Sequence, residues 1–230
     1  MRIAQVIDSL HMGGAEKLQE TFARVAIKRG YSVTVVVLAT ASNTPLPERL
    51  RALGVRIVEF TGRNLFDPFR FIRLTRFLRQ ERFDIIHSHL AYSNILTTFA
   101  GVFHRTPLAI TLHNVDPDDW EGVEAFALRS GNSQIIAVGA NVANAYRKKV
   151  PNKPIRIIVN PVDSIEPVTG DLRHATRQTI TSDANRPFIL SVGRLESQKG
   201  FADLVTAIAR SGVRSAAHEA THAVNYREVS

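Results

Sequence analysis

Short β-branched runs alternate with longer segments of helical period from the first residues to about residue 210, and few folds accept such an alternation. Strands separated by helix-length crossovers form parallel sheets, because a parallel neighbour is reached only by returning the chain to the same edge. The runs predict strands at Ile3–Ile7, Ser32–Leu38, Arg56–Glu59, Asp84–His87, Leu108–Leu112, Gln134–Val138, Ile155–Val159 and Phe188–Val192. Ser32–Leu38 holds five Val or Leu in seven positions and reads as a central strand buried on both faces. The helical pattern predicts helices over Ala15–Arg29, Pro68–Glu81, Ser93–Phe103, Asp118–Ser130 and Asn141–Val150, with Gly30 and Pro151 as stops. The expected class is α/β, a parallel sheet with helices on both faces.

At 230 residues the chain has room for one full domain and a remainder. Between Asp163 and Pro187 the composition shifts to prolines, Gly170 and a polar stretch, Thr179–Arg186, around a short helix. The expected division is a domain over 1–165, a connection over 166–187, the first βα unit of an incomplete second domain over 188–210, and a disordered or non-native tail over 211–230. One βα unit cannot bury its own sheet face, so the second domain reads as begun and unfinished.

With 44% hydrophobic and 22% charged residues, the composition excludes wholesale disorder. The absence of cysteine excludes a disulfide framework and thiolate chemistry, and is compatible with a reducing compartment. Lys and Arg number 29 against 21 acids, a net charge of +8 that favours anionic partners. The apolar run Ile3–Ile7 is broken by Gln5 and closed by Asp8, too short for an export signal, and no stretch is long enough to span a bilayer. The expected location is cytoplasmic.

Three loops carry candidate chemistry. After the first strand, Asp8-Ser9-Leu10-His11-Met12-Gly13-Gly14-Ala15-Glu16 leads into a helix, so main-chain N–H groups and the helix N-terminus could face an anion. Neither the G-x-G-x-x-G fingerprint nor a Walker A lysine accompanies these glycines, so neither NAD nor a P-loop triphosphate is indicated. Thr111-Leu112-His113-Asn114 places His113 and Asn114 at the carboxyl edge of the sheet, where open α/β folds collect ligands. His87 and His89 follow the fourth strand and are expected to face opposite sides if it continues, so that at most one enters that crevice. Finally, Ser191-Val192-Gly193-Arg194-Leu195-Glu196-Ser197-Gln198-Lys199-Gly200 repeats the strand, glycine loop, helix plan and brings two cations, Arg194 and Lys199, suited to a diphosphate.

In order and spacing, Gly13-Gly14-Ala15-Glu16, Thr111-Leu112-His113-Asn114, and Val192-Gly193-Arg194 with Lys199-Gly200 resemble family 4 of the retaining glycosyltransferases. Ile158-Val159-Asn160-Pro161-Val162-Asp163 also resembles a turn of that family, with Pro161 where a glycine is expected. The resemblance covers about residues 1 to 210 and implies the GT-B architecture, two Rossmann-like domains that bind an acceptor and a nucleotide sugar. It implies residues 1–165 as the Rossmann-like acceptor-side domain and 188–210 as the opening of the nucleotide-sugar domain. It implies sugar transfer from a nucleotide diphosphate sugar to a glycan or lipid-linked acceptor, without metal or cofactor. Gly13 and Gly14 would border the diphosphate, and His113, the candidate catalytic residue, would hydrogen-bond the transferred sugar beside Asn114. Arg194 and Lys199 would neutralise the leaving diphosphate. In such enzymes front-side attack within an ion-pair-like state accounts for retention, so no protein nucleophile is expected.

The family's spaced pair of glutamates in the second domain has no counterpart, since Glu219 and Glu228 stand nine apart in another context. The expectation is a truncated chain with impaired transfer, for which a non-catalytic α/β binding module is the alternative. A remote alternative is a zinc hydrolase through His218-Glu219-Ala220-Thr221-His222, which fits H-E-x-x-H but lacks a third histidine downstream. Arg63, Arg70, Arg73, Arg76, Arg79 and Arg82 interleave with Phe66, Phe69, Phe71, Leu74, Phe77 and Leu78. Such a basic, aromatic helix could rest on acidic lipid at the inner face of a membrane. No nucleic-acid recognition motif accompanies the charge, so nucleic acid is not an expected partner.

Overall fold

The structure, a computed structural model, describes all residues except 12, 40–43, 65–66, 116–120, 163–168, 181–188, 194–198 and 212–230. The chain divides into two compact units, Met1–Asp163 and Ser164–Ser230. The first holds seven strands: β1 (Arg2–Ile7), β2 (Ser32–Val37), β3 (Arg56–Glu59), β4 (Ile85–His89), β5 (Leu108–Leu112), β6 (Ser133–Ala137) and β7 (Ile155–Ile157). All pair in parallel, in the order β3-β2-β1-β4-β5-β6-β7. The chain grows outward from β1 in one direction and then, from β4, in the other, so the strand order reverses between β1 and β4.

Two helices, α1 (Gly14–Lys28) and α2 (Pro45–Ala52), share a core with one sheet face through Ala15, Ala23, Leu46 and Leu50 against Ile3, Ile7, Val33, Val35 and Val37. Four more, α3 (Pro68–Gln80), α4 (Ala91–Ala100), α5 (Glu121–Ser130) and α6 (Ala140–Lys149), cover the other. There Leu74, Leu78, Ile95, Leu128 and Tyr146 pack on Val6, Val36, Ile86, Ile110 and Ile135. Alternate residues of β2 feed both cores, and Val35, Val36 and Val37 are fully enclosed, as predicted for a central strand. Each such side chain contributes roughly 1.5–3 kcal/mol of transfer free energy.

Chain reversals follow local chemistry. After α1, Gly30 takes φ +79°, Gly30 N–H donates to the Ile27 carbonyl (2.8 Å) and Tyr31 N–H to the Ala26 carbonyl (3.0 Å). After α2, Gly54 (φ +84°) repeats the arrangement with bonds to Arg51 and Leu50. Both are helix stops that require a left-handed residue, and each delivers the chain directly into the next strand. At the start of α3, the Asp67 carboxylate accepts from Phe69 N–H (3.0 Å) and Arg70 N–H (3.1 Å), with Pro68 following as the first helical residue.

Several expectations need correction. β4 runs two residues further than predicted, to His89, and β7 ends two residues early, at Ile157, at the edge of the sheet. Helix α2 was not among the expected helices; Pro45 and Pro47, placed in its first turn, lack only N–H groups the helix does not use. Residues 189–192 form no strand, and Ile189, Leu190 and Val192 are exposed; Phe188 lies outside the described residues. A lone strand has no ladder partner, and none is present in the second unit among its described residues. Among its described residues that unit contributes two helices, α7 (Gly170–Ile180) and α8 (Phe201–Arg210).

Candidate functional site

The first unit carries a cleft of about 220 Å³ lined by Asp8, Leu90, Ala91, Tyr92, Asn94, Leu112, His113, Asn114, Glu124 and Tyr146. Asp8 follows β1, Leu90 follows β4 and His113 follows β5, so the cleft opens at the carboxyl ends of the strands, beside the reversal of strand order. There the connections leave in opposite directions and a crevice forms between them.

Asp8 forms one side. Its Oδ1 accepts from Ser93 N–H (2.7 Å) and Ser93 O–H (2.5 Å). The residue before α4 is Leu90, which has no polar side chain to cap the helix, and the Asp8 carboxylate arriving from β1 takes that part. Leu90 itself holds φ 70° and ψ 155°, a region that L residues seldom occupy. Burial pushes the Asp8 carboxyl up to about 7, helped by the neighbouring Glu124 charge and opposed by the Ser93 and Tyr92 hydrogen bonds. Glu124, buried, accepts from Asn94 Nδ2–H (2.8 Å) and from the Tyr146 hydroxyl (2.6 Å), tying α4, α5 and α6 together behind the cleft.

On the other side His113 connects the cleft to a polar row on the sheet face beneath α1. Gln5 pairs with His87, and His89 with Thr111, in the parallel register. Because β4 continues to His89, residues 87 and 89 are two apart and lie on the same face, with ring centroids 4.1 Å apart. This corrects the expectation of opposite faces, which had ignored the strand period of two. The contacts run His87 Nε2 to Thr111 Oγ1 (2.7 Å), Gln5 Nε2 to His87 Nδ1 (3.3 Å), His89 Nε2 to Gln5 Oε1 (2.6 Å) and His89 Nδ1 to His113 Nε2 (3.0 Å). The edge of Phe22 on α1 closes over His87. Burial pulls His87 and His113 down to about 4 and His89 well below its ordinary value, so all three rings are neutral at pH 7.

Of the residues singled out in the sequence, the structure brings His113 and Asn114 into the cleft, Asn114 exposed and His113 half-buried. Gly13 precedes α1 in extended conformation and no side chain caps the helix there. The Glu16 carboxylate folds back against Gly13, while a Cβ on Gly14 would meet open space. Neither glycine lines the 220 Å³ cleft. In the second unit, Lys199 is exposed just before α8, and Gly200 turns the chain into that helix at φ +66°. Arg194 and the His218–His222 segment lie outside the described residues. Asp8, Gln5, Glu124 and Tyr146 were not assigned a role from sequence; for Asp8 the available signal was a carboxylate at the end of the first strand. Among the described residues no cluster of His, Cys, Asp or Glu is placed to hold a metal ion.

On α3, Leu74 and Leu78 are buried, and so is Arg70, whose guanidinium lies 4.6 Å above the Tyr92 ring and donates to the Asn64 carbonyl. Arg70 is therefore a structural residue rather than a surface cation. Phe69, Ile72, Val102 and Phe103 are exposed beside Arg73, Arg76 and Arg79; Phe66 lies outside the described residues. No helix among the described residues is long and apolar enough to cross a membrane.

Comparison with known proteins places this fold. Alpha-maltose-1-phosphate synthase of Mycolicibacterium smegmatis is 26% identical over 145 residues, covering 55% of this chain and 37% of that protein. The synthase of Mycobacterium tuberculosis is 26% identical over 144 residues with the same shares. The chain thus spans little more than a third of the length of these curated relatives. Among solved structures, Anabaena HepE in complex with UDP superposes with a TM-score of 0.74 at 19% identity, over 91% of this chain and 58% of that one. Sucrose-phosphate synthase from Thermosynechococcus elongatus superposes with a TM-score of 0.64 at 16% identity, over 91% and 59%. The seven-stranded parallel sheet is the Rossmann-like fold of GT-B glycosyltransferases. The sequence profile of Glycosyltransferase Family 4 matches residues 12–165, well over half of the chain, and the chain belongs to that family.

Proposed function

We propose that this chain is the acceptor-side part of a sugar transferase that uses a nucleotide diphosphate sugar and a glycan or lipid-linked acceptor. The observation that carries the reading is the convergence of Asp8, His113 and Asn114 in one cleft at the reversal of strand order. The UDP and UDP-glucose complexes of the Anabaena relative support a nucleotide-sugar donor. In this reading His113 and Asn114 hydrogen-bond the transferred sugar, and Gly13 and Gly14 border the diphosphate. Arg194 and Lys199 stabilise the departing diphosphate as it accumulates charge. The chain spans 58% of the Anabaena protein, so the proposed transfer is that of a protein carrying both halves, to which these residues contribute the acceptor side and a weak part of the donor contacts.

Calorimetry with UDP-glucose tests the proposal. Weak, saturable binding that His113→Ala reduces at least fivefold supports it. Binding that is indifferent to His113, or no binding at millimolar concentration, overturns it. Stoichiometric affinity in a full-length relative that shows no transfer to any glycan would favour a non-catalytic binding module.

The exposed Phe69, Ile72, Val102 and Phe103 beside Arg73, Arg76 and Arg79 support a second element, peripheral contact with acidic lipid. Vesicles of phosphatidylglycerol should sediment the protein and vesicles of phosphatidylcholine should not. Equal behaviour of the two, or no loss in an Arg73→Glu, Arg76→Glu double variant, rejects the contact.

A further inference from the structure

The polar row on β1, β4 and β5 has a property that none of its members shows singly. Each ring is neutral, so each has one N–H and one lone pair, and any contact whose direction is fixed dictates the next. Thr111, whose hydroxyl both donates and accepts, imposes no direction at its end. Gln5 imposes one, because its amide has an oxygen on one side and a nitrogen on the other. Gln5 is fully buried, with its oxygen 2.6 Å from His89 Nε2 and its nitrogen 3.3 Å from His87 Nδ1. The distances agree with that orientation. A nitrogen lone pair accepts at longer range than a carbonyl oxygen, so 2.6 Å suits N–H to O and 3.3 Å suits N–H to N.

We propose that His89, oriented by Gln5, is a positioning residue that fixes His113 as its Nε2–H tautomer, so that His113 presents an acceptor nitrogen, Nδ1, to a ligand hydroxyl. His89 Nε2–H donates to the Gln5 oxygen, which leaves His89 Nδ1 as a lone pair. His113 Nε2–H donates to that lone pair at 3.0 Å. The remaining His113 nitrogen, Nδ1, has no hydrogen-bond partner among the described residues. In the other direction Gln5 N–H donates to His87 Nδ1, and His87 Nε2–H donates to Thr111 Oγ1 at 2.7 Å. Four hydrogen bonds therefore run in one sense from the cleft into the sheet. Turning the Gln5 amide over would reverse every one of them and convert His113 Nδ1 from acceptor to donor. The identification of the hydroxyl as a sugar's rests on the proposed function; the tautomer does not.

The test is the position of the protons in the unliganded protein. Histidine-selective ¹⁵N labelling, with ¹H–¹⁵N correlation at pH 7.5 and ¹⁵N–¹⁵N coupling across the His113–His89 bond, shows which nitrogen carries the shared proton. The expected result is a single species with N–H at Nε2 of His113, His89 and His87. A proton on His89 Nδ1 overturns the proposal. In Gln5→Leu the His89 Nε2–H loses its acceptor, and the shared proton should move to His89 Nδ1 in at least a tenth of the molecules. A folded Gln5→Leu protein whose shared proton stays wholly on His113 also overturns it. Thr111→Val, which removes only an indifferent end, should leave the His113 signals unchanged, and a tautomer change in that variant counts against Gln5 as the determinant. Addition of UDP-glucose examines the sugar contact separately: a shift at His113 Nδ1 supports it, and no shift rejects that contact while leaving the tautomer assignment standing.

Discussion

In the polar row that runs from His113 into the sheet three histidines are desolvated and uncharged; in the cleft beside it, the Asp8 carboxyl is desolvated and driven toward its uncharged form near neutrality. Burial is the leading cause in both, yet it moves the acid up and the bases down, because in each case it penalises the charged state. The difference shows in pH dependence. A histidine with a lowered folded pKa stabilises the fold fully above its unfolded value and loses that contribution as pH falls. A carboxyl with a raised folded pKa does the reverse, losing its contribution as pH rises.

The largest expected effect is on the histidine side. As pH falls from 6.5 toward 4, His87 and His113 should each withdraw roughly 3 kcal/mol, more than Asp8 restores, so thermal unfolding should shift steeply to lower temperature. A melting temperature that is flat or rising between pH 6.5 and 4 would contradict neutral buried rings. Next comes the carboxylate behind the cleft: Glu124→Ala leaves the Asn94 amide and Tyr146 hydroxyl without their acceptor and should cost about 3 kcal/mol in urea unfolding. A cost under about 1 kcal/mol would mean that water replaces the carboxylate. Smallest is Asp8→Asn, whose neutral amide should stabilise the fold more at pH 8, where Asp8 is ionised, than at pH 5, the two gains differing by roughly 2–3 kcal/mol. A loss at pH 8 instead would show that the charge is needed to cap α4.

The sheet was legible because local signals agree with the fold. Hydrophobic runs gave β3 and β5 to the residue, and Gly30 marked the end of α1 through the one conformation it adopts easily. Where neighbours decide, the reading failed. Residues 189–192 have the composition of a strand and none of the pairing. His113 and Asn114 were found because a strand end is visible in the sequence. Glu124 meets Asn94 and Tyr146 only once α4, α5 and α6 pack, and the spacing of 22 and 30 positions leaves no local trace. The His87–His89 relation was available from the strand period of two, which the expectation of opposite faces overlooked.

The row that begins at Gln5 also bears on how the sheet finds its alignment. Slipping β1 by one position along β4 would turn Gln5 toward Leu74 and Leu78 of the opposite core and strand two imidazoles without partners among aliphatic side chains. Valine and isoleucine at these places would tolerate either alignment nearly equally. The polar triplet Gln5, His87 and His89 thus acts as a key that penalises the mispaired sheet, beyond whatever it does for a ligand.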